Sequence, residues 1–324
     1  MKTAFVLGCS QKAGPVPADA QRETVHPTIS ENMALPGSHS MTLTYPNIVP
    51  ENNLRLPDAL TIKYGPAPLL SRFVLEGDRA AREKGVRLRL RHDFGELVYV
   101  NKQQTALGNW FRLVNMFNPK YSDLSPENSY WISGEDDNGE IVVTQAGRVY
   151  YWPETTLEQE ARAMFYGEHG EGEGCVVTAK DARSIAGVVF YGGSVWVRPD
   201  FRGRRFSEVL PRLGRAYAVA RWPVDWGISF VAPILVEKGV AAGYGYKHAS
   251  YSISFPDSPW GDLEVVLVSL SAQEAYADFA ETLVKQSSDL VASGSARSVS
   301  SNLFDDRVTN TSSVGVLQGS SSRS

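Results

Sequence analysis

Cysteine is nearly missing from this chain. Of 324 residues only Cys9 and Cys175 are cysteines, far apart and in no CxxC spacing. A disulfide framework is excluded, and a reducing cytoplasmic setting is the expectation. Histidine is sparse as well. His26, His39, His92, His169 and His248 are scattered and build no HxxxH or HExxH pattern, so no metal site is expected. Basic charge is not in excess: 32 Lys and Arg face 36 Asp and Glu, for a net charge of −4, which argues against a nucleic-acid partner. No apolar run approaches the roughly 20 residues that span a bilayer, so no membrane partner is expected. The opening "MKTAFVLGCS" holds an apolar run shorter than the about 7–15 residues of a secretory signal. A GxSxG elbow, a Walker loop and a GxGxxG fingerprint are all absent, which sets aside hydrolase, NTPase and dinucleotide-enzyme readings.

The composition that is present, 43% hydrophobic and 21% charged, is ordinary for a globular chain. Residues 1–56 are rich in Pro, Ser, Thr and Asn and read as a loosely structured arm. Residues 287–324 are dominated by Ser, Asn and Gly and read as a disordered tail, because so little apolar surface cannot offset ordering entropy. One domain is expected between them, over 57–286.

Within that span "PLLSRFVLEGDRAAREKG" reads as a helix stopped by Gly85. "VRLRLRHDF" alternates strictly and predicts a half-buried strand, with Arg87, Arg89 and Arg91 on a solvated face. "GNWFRLVNMFNPKYSDL" reads as a short helix and a turn. "SYWISGEDDNGEIVVTQAGRVYYW" is a hairpin with Glu135, Asp136 and Asp137 solvated at its tip. "TTLEQEARAMFYGE" suggests a helix capped through threonine and Glu158, and "GEHGEGEGC" a surface loop. "SIAGVVFYGGSVWVRP" predicts a strand, "FSEVLPRLGRAYAVARW" a helix and "WGISFVAPIL" a strand. A short helix ends near "GYGY". Strands at "KHASYSISF" and "LEVVLVSLS" and the helix "AQEAYADFAETLVKQ" complete the domain. An exposed late strand offers a route to a possible homodimer.

The stretch "VRPDFRGRRFSEVLPRL" is where chemistry concentrates. It passes from a strand end through Arg202, Arg204 and Arg205 into a helix. A helix start leaves several N–H groups without partners and carries partial positive charge, so it receives phosphate readily. Guanidinium forks beside it add donors suited to phosphate oxygens.

This segment resembles the pyrophosphate-binding motif of the GNAT superfamily of acyl-CoA N-acyltransferases. That motif runs strand, V-x-P-x-x-(Arg/Gln)-x-x-Gly-x-(Gly/Ala), helix. Val197, Pro199, Arg202 and Gly203 match it, and the order of elements over about residues 70–270 is similar. The resemblance implies an α/β fold, a mixed and mainly antiparallel central sheet flanked by helices. It implies acetyl-CoA, or a related acyl-CoA, as co-substrate. The backbone around Trp196 and Val197 would hold the thioester arm, and the segment Arg202, Gly203, Arg204, Arg205, Phe206 and Ser207 would hold the pyrophosphate. The acyl group would pass to an amine of a small molecule or peptide. Two positions depart from the motif: its later glycine is Arg205 here, and its final Gly/Ala is Ser207. The tyrosine acid of many members falls on Ala241 or Gly239, which leaves Tyr244 as the nearby proton donor. His248 is a further base candidate, and Trp110, Phe111, Tyr130 and Trp131 are aromatic residues available to an acceptor pocket. The departures keep a second reading open, a catalytically silent module of the same fold that binds an acyl-CoA or a protein. A third, an unrelated interaction protein, predicts no response to CoA.

Overall fold

The computed structural model describes residues 54–305, with side chains up to 288. Residues 1–53 of the predicted N-terminal arm and 306–324 of the predicted tail lie outside the described residues. Eight strands form one sheet in the order β1-β2-β3-β5-β6-β8-β7-β4. They are β1 (Arg87–Arg91), β2 (Ser129–Glu135), β3 (Ile141–Trp152), β4 (Val176–Val177), β5 (Gly187–Val197), β6 (Trp226–Val231), β7 (His248–Ser258) and β8 (Gly261–Ser271). Only β5 and β6 pair in parallel; the other neighbours run antiparallel. The helices are α1 (Ala67–Arg82), α2 (Phe94–Ala106), α3 (Leu157–Tyr166), α4 (Phe206–Arg221), α5 (Pro233–Glu237) and α6 (Ala272–Asp305). The expected mixed, mainly antiparallel α/β class is what the chain adopts.

Two apolar layers sandwich the sheet. On one face α1, α4 and α6 bury Leu70, Phe73, Leu213, Tyr217 and Phe279 against Tyr130, Ile132 and Phe190. On the other, α2, α3 and the 108–124 segment bury Phe94, Leu97, Phe117, Phe165 and Tyr166 against Trp131, Tyr191, Ile228 and Phe255. The alternation of strand side chains sorts the two sets, since successive residues point to opposite faces.

Several local readings are corrected. The arginines of β1 are not a solvated row. Arg91 donates to both Glu96 and Glu135, and Arg89 to Glu135, because β2 brings a carboxylate opposite them. Glu135 and Asp136 are accordingly buried rather than solvated, and only Asp137 of the three is exposed. The long helix α2, started by the Asp93 carboxylate accepting from Gly95 N–H, stands before the segment read as a short helix. That segment is mostly irregular, with a single 3-10 turn at Asn115–Phe117. At α3 it is Gln159, not Glu158, that reaches back to the Thr156 N–H. Among the late strands β8 lies between β6 and β7, and the two-residue β4 covers β7 only at Ile253 and Ser254. The closing helix runs on to Asp305, past the end expected at Gln286. An established helix gains one hydrogen bond per added residue, a term that composition alone does not register.

Candidate functional site

The site begins where two parallel strands part. β5 and β6 are in register only at Val189↔Trp226, Phe190↔Gly227 and Tyr191↔Ile228. Beyond Tyr191 the strands diverge, and β5 continues six residues alone toward Val197 while still pairing with β3. A bulge in that second ladder, with Ser194 at φ 50°, turns the free stretch further. Backbone groups of β5 beyond Tyr191 therefore have no β6 partner.

A cleft open to solvent lies at the end of this stretch. Val195, Trp196 and Val197 form one wall, the turn from Phe201 to Ser207 a second, and Asn109, Trp110 and Phe111 a third, with Tyr244 also lining it. Trp110 stacks on Trp196 at 5.2 Å between ring centroids, and the Trp196 indole donates to the Asn109 carbonyl at 3.2 Å. The 108–111 segment is thus pinned to the strand, with Trp110 buried in the core beneath it. Trp110 and Phe111 line this cleft, whereas Tyr130 and Trp131 are fully buried core residues.

The turn has the shape that anion binding needs. Gly203 stands at φ 81°, and a Cβ there would meet nothing within 4 Å. Arg205, directly before α4, holds φ 61° and ψ 26°. This left-handed conformation normally falls to glycine, and a non-glycine residue pays about 1 kcal/mol or more for it. Arg205 therefore keeps the backbone path that the glycine of the motif would take. The amides of Phe206 and Ser207 open α4 and precede its hydrogen-bond ladder, so no helical carbonyl reaches them.

The arginines themselves are placed differently from the sequence reading. Arg202 lines the cleft, but its guanidinium turns back onto the Val197 carbonyl at 3.2 Å and the Asn109 carbonyl at 3.3 Å. Its own amide is spent on the Pro199 carbonyl. Arg204 leaves the cleft altogether: it stacks 4.1 Å from the Phe201 ring centroid and donates to the Lys84 carbonyl. It is withdrawn from the expected binding set, since the aromatic ring and the C-terminal end of α1 compete for it. Arg205 reaches the cleft and makes a two-point pair with Glu208 at 2.9 and 2.6 Å. Phe201 and Asn109 belong to the site and went unread, because a lone aromatic and a loop asparagine carry no pattern of their own.

Tyr244 is buried, and burial pushes its phenol up to about 12. It stays protonated across the physiological range and can donate a proton but not accept one. Its position is fixed from below. Arg215, fully buried, donates to the Tyr244 carbonyl at 2.9 Å, and Arg212 donates to the Gly243 carbonyl at 2.6 Å while pairing with Asp278. Helices α4 and α6 thereby hold the short segment that carries Tyr244. His248, the other candidate, pairs with Glu274 on the surface at 2.9 Å and takes no part in the cleft. Among the described residues no cluster of His, Cys, Asp and Glu is arranged for a metal, and no helix is long and apolar enough to cross a membrane.

No family model matches the chain, and no curated protein matches it. Solved structures similar to it include N-acyltransferases. One is the NAA60 protein of Arabidopsis thaliana with a bisubstrate analogue, 10% identical, covering 57% of this chain and 97% of that one, at a TM-score of 0.37. Another is the aminoglycoside acetyltransferase AAC(6')-Ib with coenzyme A and kanamycin, 14% identical, over 58% of this chain and 96% of that one, at 0.35. A third is a GNAT-superfamily phosphinothricin acetyltransferase of Sinorhizobium meliloti with acetyl-CoA, 8% identical, over 65% and 88%, at 0.27.

Proposed function

We propose that the cleft binds an acyl-CoA, acetyl-CoA in the first instance, and that the protein transfers the acyl group to an amine. The observation that carries this reading is the joining of two features: a β5 edge freed from β6, and a left-handed turn that presents the first amides of α4 to the same cleft. A pantetheine arm is a chain of amides and needs an open strand edge. A diphosphate needs clustered N–H donors at a helix start. Supporting the reading, Val195–Val197 and Phe201–Ser207 line the same cleft.

The roles follow from position. Amides at Arg205, Phe206 and Ser207 grip the diphosphate, with the Arg205 guanidinium exchanging Glu208 for a phosphate oxygen. Trp196 and Val197 carry the arm, for which Arg202 must release the Val197 carbonyl. The acceptor nitrogen, as a neutral amine, attacks the thioester carbon. The new C–N bond forms, the C–S bond breaks, the thiolate takes the Tyr244 proton, and the amine proton leaves to water. Tyr244 recovers its proton from solvent.

The test is release of free CoA thiol from acetyl-CoA in the presence of a panel of amines, read against protein-free controls. Thiol release that depends on both protein and amine supports the transferase. Stabilisation of the fold by CoA without thiol release, for any amine, instead selects the silent acyl-CoA-binding module.

A further inference from the structure

On the sheet face opposite α4, a buried guanidinium is only half used. Arg148 of β3 is 4% exposed. Its Nη2 donates to Glu168 Oε1 at 2.6 Å and to the Asp123 carbonyl at 3.3 Å, while Nε and Nη1 have no partner. Around it are other polar atoms in the same condition. The Tyr150 hydroxyl, whose ring centroid lies 4.8 Å from the guanidinium carbon, is unpartnered. So is Ser122 Oγ, next in sequence to the Asp123 whose carbonyl accepts from Arg148. A buried guanidinium with two idle donors is costly, because each unmade hydrogen bond forfeits its full desolvation cost.

Glu168 does not complete this fork. It engages one nitrogen through one oxygen, whereas a guanidinium and a carboxylate fit edge to edge with two parallel bonds. Glu168 is also more than a third exposed, and it follows Gly167, which stands at φ 82° at the start of the "GEHGEGEG" loop. Rotation of this side chain toward solvent frees the Nη2 donor that it holds. The location is informative too. Arg148 is the register partner of Tyr191, the last β5 residue paired with β6 before the strands part. Cross-strand partners lie about 5 Å apart, so Arg148 is one strand away from where the acyl carbon would sit.

We propose that Arg148, with Tyr150 and Ser122 beside it, binds the carboxylate of the acceptor, and that Glu168 is an internal carboxylate which the acceptor displaces. The acceptor class is then an amine that also carries a carboxylate, as a free amino acid does. The amine part of this assignment rests on the acyl-transfer reading; the carboxylate part does not.

The experiment measures thermal stability of the full chain with each of the twenty free L-amino acids and with its carboxamide, in wild type, Glu168→Ala and Arg148→Lys. At least one free amino acid is expected to raise the melting temperature while its carboxamide does not. Glu168→Ala, which removes the competing carboxylate, is expected to tighten that response at least fivefold. Arg148→Lys is expected to abolish it. Should Arg148→Lys fail to fold, the surface variant Glu168→Ala carries the test alone. Equal behaviour of acids and amides in both wild type and Glu168→Ala overturns the proposal. CoA titrated into the same samples separates the two readings. A response to CoA without acid-over-amide preference removes the carboxylate site alone. An acid preference without any CoA response removes the acyl-transfer reading and keeps the site.

Discussion

Tyr244 and Arg205 carry the two residue-level arguments. Among the described residues Tyr244 is the only tyrosine lining the cleft, and burial keeps its phenol protonated, which is what the proposed proton donor needs. Replacing it with phenylalanine keeps the ring and deletes the proton. Tyr244→Phe should lower kcat about 100-fold, in the range of a lost general acid, with KM for acetyl-CoA unchanged. Steady-state kinetics decide it: an equal rise in KM with kcat intact would mean that the hydroxyl only binds. Arg205 shows why a motif read letter by letter misleads. An arginine in place of a glycine suggests a blocked turn, yet the backbone takes the glycine's conformation and the side chain points to Glu208.

At the scale of elements, the β3–α4 contact is the tightest joint next to the site. A Cβ on Gly214 would fall 1.9 Å from the Gln145 amide oxygen, and Tyr130 donates to the Gly214 carbonyl at 2.6 Å. Gly214→Ala gains about 1 kcal/mol of helix propensity. It loses about 1–3 kcal/mol by overpacking against a buried glutamine, so net destabilisation is expected. Urea denaturation checks this, and a variant as stable as wild type would contradict the close packing. The same scale explains what sequence reading recovered. Strands β1, β2, β3, β5, β6, β7 and β8 were legible because apolar alternation and β-branched runs mark them directly. Helix α2 was not, since "FGELVYVNKQQTA" has no clear apolar stripe and buries only Phe94, Leu97 and Asn101. The Glu135–Asp136 pair was misread because its burial depends on arginines 44 and more residues away. Within the cleft, Trp196, Val197, the Arg202–Ser207 turn and Tyr244 were legible in the sequence. The 109–111 wall arrives through the Trp110–Trp196 stack, a long-range contact with no local signature.

For the whole molecule, the buried tyrosines set an alkaline limit. Tyr244 is raised by burial to about 12 from an ordinary 10, and Tyr150 and Tyr191 are raised further by the same cause. Below pH 10 both folded and unfolded chains keep these phenols protonated, and their contribution to stability is complete. From pH 10 to about 12 the unfolded chain ionises while the folded one resists, so stability falls as pH rises. The urea midpoint should hold between pH 7 and 9 and drop by pH 11 with an unchanged m-value; a midpoint flat through pH 11 would contradict the burial of these groups. The central claim concerns the cleft, and calorimetric titration reaches it most directly. CoA and pantetheine, which lacks the diphosphate, are titrated into wild type and Ser207→Asp. The substitution adds negative charge to the first turn of α4, which suits the helix and repels phosphate. The account predicts that wild type binds CoA at least 100-fold more tightly than pantetheine, and that Ser207→Asp folds normally while losing most of that difference. Equal affinity for the two ligands, or a Ser207→Asp variant that binds CoA as wild type does, would contradict it.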